Sequence, residues 1–239
     1  MSSVQIHVAF DVLAWLAAGL AALWLSRGER IPFPAVTMTI PYLAALMCGA
    51  AAGAYVLGSA NLWLSGQAGV ARSIEGAVFG AIVAIELYKH HAGIRTRTGS
   101  RFALPFAVGV AVGRIGCFLS GIEDFTHGTP TTLPWAHDFG DGVPRHPAQL
   151  YESASMALFA IVYVVAVRRR NAFAIDNGFY LAAGYYGLQR FVWEFFKPYG
   201  AVIGPFTLFH LLSAAIVVYA VVMIVTAPTP RTADEHAVA

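Results

Sequence analysis

Charge is what this sequence has least of: Asp, Glu, Lys and Arg make up 12% of its 239 residues, about half the share found in soluble domains. With 58% hydrophobic residues, that shortage excludes an ordinary soluble domain and predicts an all-α, polytopic membrane protein. The excess of basic over acidic residues is two (15 against 13), and no long basic run occurs, so no nucleic-acid partner is expected. Cysteine is scarce too. Cys48 and Cys117 both lie in apolar stretches and offer neither a disulfide framework nor a metal-ligand spacing, so no metal site and no cofactor are expected. A basic n-region is also missing from the start, MSSVQIHVAFDVLAW, where Asp11 interrupts the apolar run. The first segment is therefore read as part of the mature fold and not as a cleaved signal.

What the sequence has in abundance is long apolar runs. A helix needs about 20 apolar residues to cross a bilayer, and seven such spans are read at roughly 8–25, 35–57, 74–88, 102–120, 149–167, 177–196 and 202–225. Residues 1–226 form a single transmembrane domain on this reading, and 227–239, APTPRTADEHAVA, form a disordered cytoplasmic tail whose composition supports no core. Basic residues fall after the odd-numbered spans: Arg27 and Arg30, then Lys89, Arg95, Arg97 and Arg101, then Arg168, Arg169 and Arg170, with Arg231 in the tail. The positive-inside rule then predicts an outer N-terminus and a cytoplasmic C-terminus.

This orientation gathers polar residues at the outer ends of the spans. Glu75 opens span three. Arg114 lies about seven residues, or roughly 10 Å, below the end of span four. His146, Gln149, Tyr151 and Glu152 stand at the start of span five, and Tyr186, Arg190 and Glu194 near the end of span six, spaced by four along one helical face. Charges in a span cost about 2.5–3.5 kcal/mol on insertion scales, so they face protein or a cavity. One reading is a self-neutralising Arg190–Glu194 pair. The other is an anion site, because two guanidinium groups from different helices suit a phosphodiester, which in a membrane means a phospholipid headgroup. Gly109, Gly113 and Gly116 of GVAVGRIGCFLSG, like Gly76 and Gly80, permit close helix packing. Cys117 reads as a small buried residue with no base beside it in sequence, and the loop 121–145 as a solvated cover whose His127 and His137 have no ligand partners by spacing.

GRIGCFLSG at 113–121, RHPAQLYE at 145–152 and YGLQRFVWEFFK at 186–197 together resemble the bacterial prolipoprotein diacylglyceryl transferase family. The resemblance implies a seven-helix enzyme of the bacterial inner membrane, with its site facing the periplasmic side. It would move the diacylglyceryl group of phosphatidylglycerol to the cysteine thiol in the lipobox of a prolipoprotein. Its phosphate-site arginines fall on Arg114 and Arg190, its tyrosine on Tyr186 and its acidic partner on Glu194, while His146, Gln149, Tyr151 and Glu152 match HPxQLYE in full. Gly113 and Gly116 complete the binding set. The chain also departs from the family. Glu75 of EGAVFG stands where the family has a histidine, GAAAGAYVLG at 49–58 lacks the family's second-span arginine, and Cys117 stands where many members have asparagine. Glu75 is then the first candidate for the base that deprotonates the acceptor, and His146, as an imidazole, the second. Two other functions also fit these residues: a paralogue that modifies a different acceptor, and a non-catalytic lipid-binding or transport protein. The latter should show polar or broken helices near the midplane, where Asp11 and Glu86 are the only candidates and show no partner in the sequence.

Overall fold

The computed structural model describes residues 3–27, 31 and 34–227. Arg30 and residues 228–239, which make up all but the first residue of the expected tail, lie outside the described residues. The described chain is all-α apart from two short hairpins. Its helices are α1 (Ser3–Ser26), α2 (Ile40–Leu64), α3 (Ile74–His91), α4 (Ala103–Leu119), α5 (Ala148–Arg168), the single-turn α6 (Ala172–Asp176), α7 (Gly178–Glu194) and α8 (Leu208–Val225). β1 (His137–Asp138) pairs antiparallel with β2 (Pro144–Arg145) in the connection after α4, and β3 (Ala201–Ile203) with β4 (Phe206–Thr207) in the connection after α7.

Local chemistry fixes the helix starts. Ser73 caps α3 by accepting from the Gly76 amide at 3.1 Å, and Glu75 sits in the first turn, where the helix dipole favours an anion. Thr207 and His210 form a reciprocal capping box on α8. Two spans begin later than the apolar pattern indicates. Residues 35–38 form a 3₁₀ turn before α2, which carries a proline in its first turn, and 201–207 turn back on themselves through Gly204, at φ 56°, before α8.

Among the described residues, five helical segments are long and apolar enough to cross a membrane: Ser3–Ser26, Ile40–Leu64, Ser100–Leu119, Ala148–Arg168 and Leu208–Val225. The protein is a polytopic membrane protein in which α3 and α7 fall outside that set. α3 carries Glu75, Glu86 and Lys89, and α7, with Arg190 and Glu194, has only 17 residues. Large apolar side chains such as Trp15, Ile40 and Leu158 are exposed on the outer faces, as hydrocarbon contact requires.

The helices pack as pairs. In α2 and α3 the glycines face one another: a Cβ on Gly53 would stand 2.1 Å from the Gly76 carbonyl oxygen, and one on Gly80 would stand 2.2 Å from that of Gly49. The backbones therefore touch, and nothing flexible is available to move aside. Gly76→Leu is expected to destabilise the fold by about 3 kcal/mol or more, the upper end for overpacking, which thermal unfolding in detergent would show. On α4, Gly116 accommodates the Phe10 ring of α1, whereas Gly109 and Gly113 have ordinary contacts with Ala18 and Ala14. The main core joins α1, α4, α5 and α7 through Leu25, Ala107, Met156, Tyr163 and Ala182. Asp11 and Glu86 do have partners: Arg72 lies 3.9 Å from Asp11, and Glu86 takes Lys89 at 3.1 Å and the Tyr219 hydroxyl at 2.8 Å.

Candidate active site

The start of α3, the end of α4, the start of α5, the end of α7 and the start of α8 meet in one buried cluster. Glu152, fully buried on the first turns of α5, receives three cations: Arg114 Nε at 2.7 Å, Arg190 Nη1 at 3.0 Å and Lys197 Nζ at 3.0 Å. Arg190 in turn spreads over three carboxylates. Its Nε reaches Glu75 at 3.0 Å, its Nη1 Glu152, and its Nη2 Glu194 at 2.8 Å. α8 supplies neutral support, with Ser213 donating to Glu75 at 2.5 Å and Thr207 to Glu194 at 2.6 Å. The Phe209 ring lies 5.3 Å from the Arg190 guanidinium.

Three cations face three carboxylates, so the cluster is formally neutral when all six are ionised. That balance is what allows such groups to stay out of water. The Arg190–Glu194 pair is real, and it is one edge of a larger network. Both arginines are held by carboxylates here, so an anion reaching them must share or replace those partners. Arg114 is the less committed, with one carboxylate partner among the described residues and a guanidinium nitrogen 3.9 Å from the Cys117 sulfur.

The remaining residues singled out from the sequence divide into two groups. Tyr186 and Gln149 are fully buried with the cluster. The Tyr186 hydroxyl and the Gln149 carbonyl oxygen have no hydrogen-bond partner among the described residues, polar capacity that a ligand or water could use. His146 and Tyr151 form a separate aromatic patch: the His146 ring packs 4.8 Å from Phe196, its Nδ1 lies 3.3 Å from the Tyr151 hydroxyl, and that hydroxyl accepts from Trp135 at 2.8 Å. Gly113 and Gly116 lie either side of Arg114, the first lining a cavity and the second packed on Phe10.

Lys197, Thr207 and Ser213 escaped sequence reasoning. Lys197 closes the segment YGLQRFVWEFFK, three residues after Glu194 and so about one turn beyond the site. Burial pushes its ammonium down to about 8, against the opposing pull of Glu152. It also donates to the Thr126 carbonyl oxygen, which ties the long connection after α4 to the cluster. That connection is more than a solvated cover. Thr129 N donates to the Phe196 carbonyl oxygen at 2.6 Å, and the Tyr199 hydroxyl to that of Phe125 at 3.0 Å, so the segment seals the buried charges from outside. Farther out, Arg145 grips Asp141 with two bonds of 2.6 and 2.7 Å and holds its carboxyl down at about 2.

A cavity of about 450 Å³ opens between the α1–α4 and α2–α3 pairs. Its lining runs from Ile74 and Gly113, the chain neighbours of Glu75 and Arg114, past Val78 and Phe106 to Glu86 and Thr98 at the other end. It is apolar along most of its length and ends beside the charged cluster.

A family model described as "Prolipoprotein diacylglyceryl transferase" matches residues 61–226. Among curated proteins, relatives named phosphatidylglycerol–prolipoprotein diacylglyceryl transferase include those of an Azoarcus species (39% identical over 130 residues, 52% of this chain and 48% of the relative), Bordetella parapertussis (36% over 140 residues, 56% and 49%) and Geobacter sulfurreducens (40% over 114 residues, 44% and 42%). The matched region spans about half the length of these relatives. No solved structure matches the chain.

Proposed function

This chain belongs to the prolipoprotein diacylglyceryl transferase family, and from that premise we propose that it transfers the diacylglyceryl group of phosphatidylglycerol to the lipobox cysteine of a prolipoprotein. The observation that carries this is the convergence of three motif segments, from α4, α5 and α7, on one neutral buried cluster at the end of an apolar cavity. The cavity suits acyl chains, being apolar and of ligand-pocket size, and the cluster suits a phosphodiester. The substrates are phosphatidylglycerol and the signal-peptide segment of a prolipoprotein, with membrane lipid around both. The protein crosses the bacterial inner membrane seven times, α3 and α7 included, with an outer N-terminus, a cytoplasmic C-terminus and the cluster toward the periplasmic side. Arg97, Arg101 and Arg168 stand at the opposite helix ends, as the positive-inside rule requires.

In the reaction the acceptor sulfur attacks the glyceryl carbon that bears the phosphate ester. A C–S bond forms, the C–O bond breaks, and glycerol 1-phosphate leaves with the bonding electrons. Arg114 and Arg190 hold the phosphate as charge builds on the leaving oxygen, in a site from which water is excluded. Gly113, Gly116, Gln149, Tyr151, Glu152, Tyr186 and Glu194 form the binding wall around them. Charge balance supports a role for Glu75. The cluster is neutral, so an entering phosphodiester leaves it one charge negative unless a proton enters too. As Arg190 turns to the phosphate, Glu75 loses its cation and is left to accept the acceptor's thiol proton. His146, turned toward Tyr151 and Phe196, is better placed to orient the acceptor segment.

The test is to incubate the purified protein with phosphatidylglycerol and a lipobox peptide and to follow thioether and released glycerol phosphate by mass spectrometry. Wild type is expected to form both in equal amounts. Glu75→Gln, which keeps the shape and an acceptor for Ser213, is expected to lose about 10²–10⁴-fold in rate, the usual worth of a general base. His146→Gln is expected to lose far less. Headgroup release without thioether would mean a different acceptor, and neither product would end the proposal.

A further inference from the structure

Outside the charged cluster, three side chains from separate parts of the chain meet at the outer end of α1 and α4. His7 of α1, Cys117 near the end of α4 and Asp124 of the following 3₁₀ turn each bring one ligand-type atom to within 4.8 Å of the other two. His7 Nε2 and Asp124 Oδ1 are already in contact, and the second Asp124 oxygen accepts from the Thr126 hydroxyl. We propose that His7, Cys117 and Asp124 form a binding site for a divalent transition-metal ion of the zinc class.

Three features of the cluster support this. As the ion binds, the Cys117 thiol releases its proton to solvent, and the donor set becomes one thiolate, one imidazole and one carboxylate, the mixture that zinc and its neighbours accept. Its charge closes as well: a thiolate and a carboxylate together neutralise a divalent cation, so the loaded site carries no net charge next to hydrocarbon. The distances are compatible, since bonds of about 2.0–2.3 Å place tetrahedral ligand atoms about 3.5 Å apart, within reach of small rotamer changes. The Thr126 hydroxyl on the outer Asp124 oxygen is an orienting partner of the kind that fixes ligating carboxylates.

The setting also provides access and placement. His7 and Asp124 side chains are 22% and 13% exposed, which leaves a route for an ion, while Cys117 is buried beneath them. Three protein ligands leave a fourth tetrahedral position open, the arrangement of zinc sites that bind an exogenous group. The site borders the charged cluster, with the Cys117 sulfur 3.9 Å from an Arg114 nitrogen. Cys117 thus has both a base and a carboxylate beside it in space, neither of which the sequence reading found.

The experiment is cobalt titration of the purified full-length protein in detergent, with the thiolate-to-cobalt charge-transfer band as the readout, independent of any transferase activity. One equivalent of Co²⁺ should raise the band, and Zn²⁺ should displace it. Cys117→Ser should abolish the band, and Asp124→Asn and His7→Ala should each weaken binding by at least about tenfold, the lower end for loss of a supporting metal contact. Cys48→Ser, at the second and exposed cysteine, should leave the band unchanged. The proposal is overturned if wild type shows no band at stoichiometric cobalt, or if the band persists in Cys117→Ser. Asp124→Asn is close in shape to the native residue and tests the site even if His7→Ala disturbs α1.

Discussion

Arg190→Met is expected to destabilise the protein by about 3–5 kcal/mol, the cost of removing one partner from a buried ion network. Arg190 is almost fully buried and faces Glu75, Glu152 and Glu194 from a single guanidinium. Without it, Lys197 and Arg114 still serve Glu152, but Glu75 keeps only the Ser213 hydroxyl and Glu194 only the Thr207 hydroxyl among the partners described above. Two buried carboxylates would then lack a cation. Arg190→Lys restores the charge but not the planar fork, so it should recover part of the stability and little of the geometry. Thermal unfolding in detergent, read by tryptophan fluorescence, distinguishes the three proteins. If Arg190→Met unfolds at the wild-type temperature, the network does not hold the helix ends together.

Arg114→Ala should give the opposite pattern, a small stability loss and a large activity loss. Glu152, its carboxylate partner among the described residues, keeps Arg190 and Lys197, so no anion is stranded. If Arg114 carries the charge of the departing phosphate, its removal costs about 10²–10³-fold in rate, as for loss of one preorganised donor. Arg114→Lys should recover some of that rate, with a weaker hold on two phosphate oxygens. Thioether formation from phosphatidylglycerol and a lipobox peptide, measured beside the unfolding temperature, separates the two effects. An Arg114→Ala protein that keeps its rate would remove Arg114 from the phosphate site, while one that unfolds with Arg190→Met would make both arginines structural. The contrast depends on the number of carboxylates that each guanidinium serves.

Composition and spacing alone determined that this is a helical membrane protein and where its long helices run, because hydrocarbon tolerates few charges and the runs between charges are long. They also determined which residues stand at one end of the helices: Glu75, Arg114, Glu152, Arg190 and Glu194 fall there by counting residues along spans of alternating direction. What counting could not supply is who holds whom. That Arg190 grips three carboxylates, that Lys197 enters the same cluster, and that Asp11 and Glu86 are paired all depend on helix rotation and tilt, which no single span encodes. The hairpin before α8 was hidden for a related reason, since an apolar run through Ala201–Ile203 reads alike as strand or helix until Gly204 turns it. The meeting of His7 with Cys117 and Asp124, more than a hundred positions away, is likewise settled only in the folded protein. It arises because α1 packs along α4 with Phe10 against Gly116, which brings the start of α1 beside the end of α4.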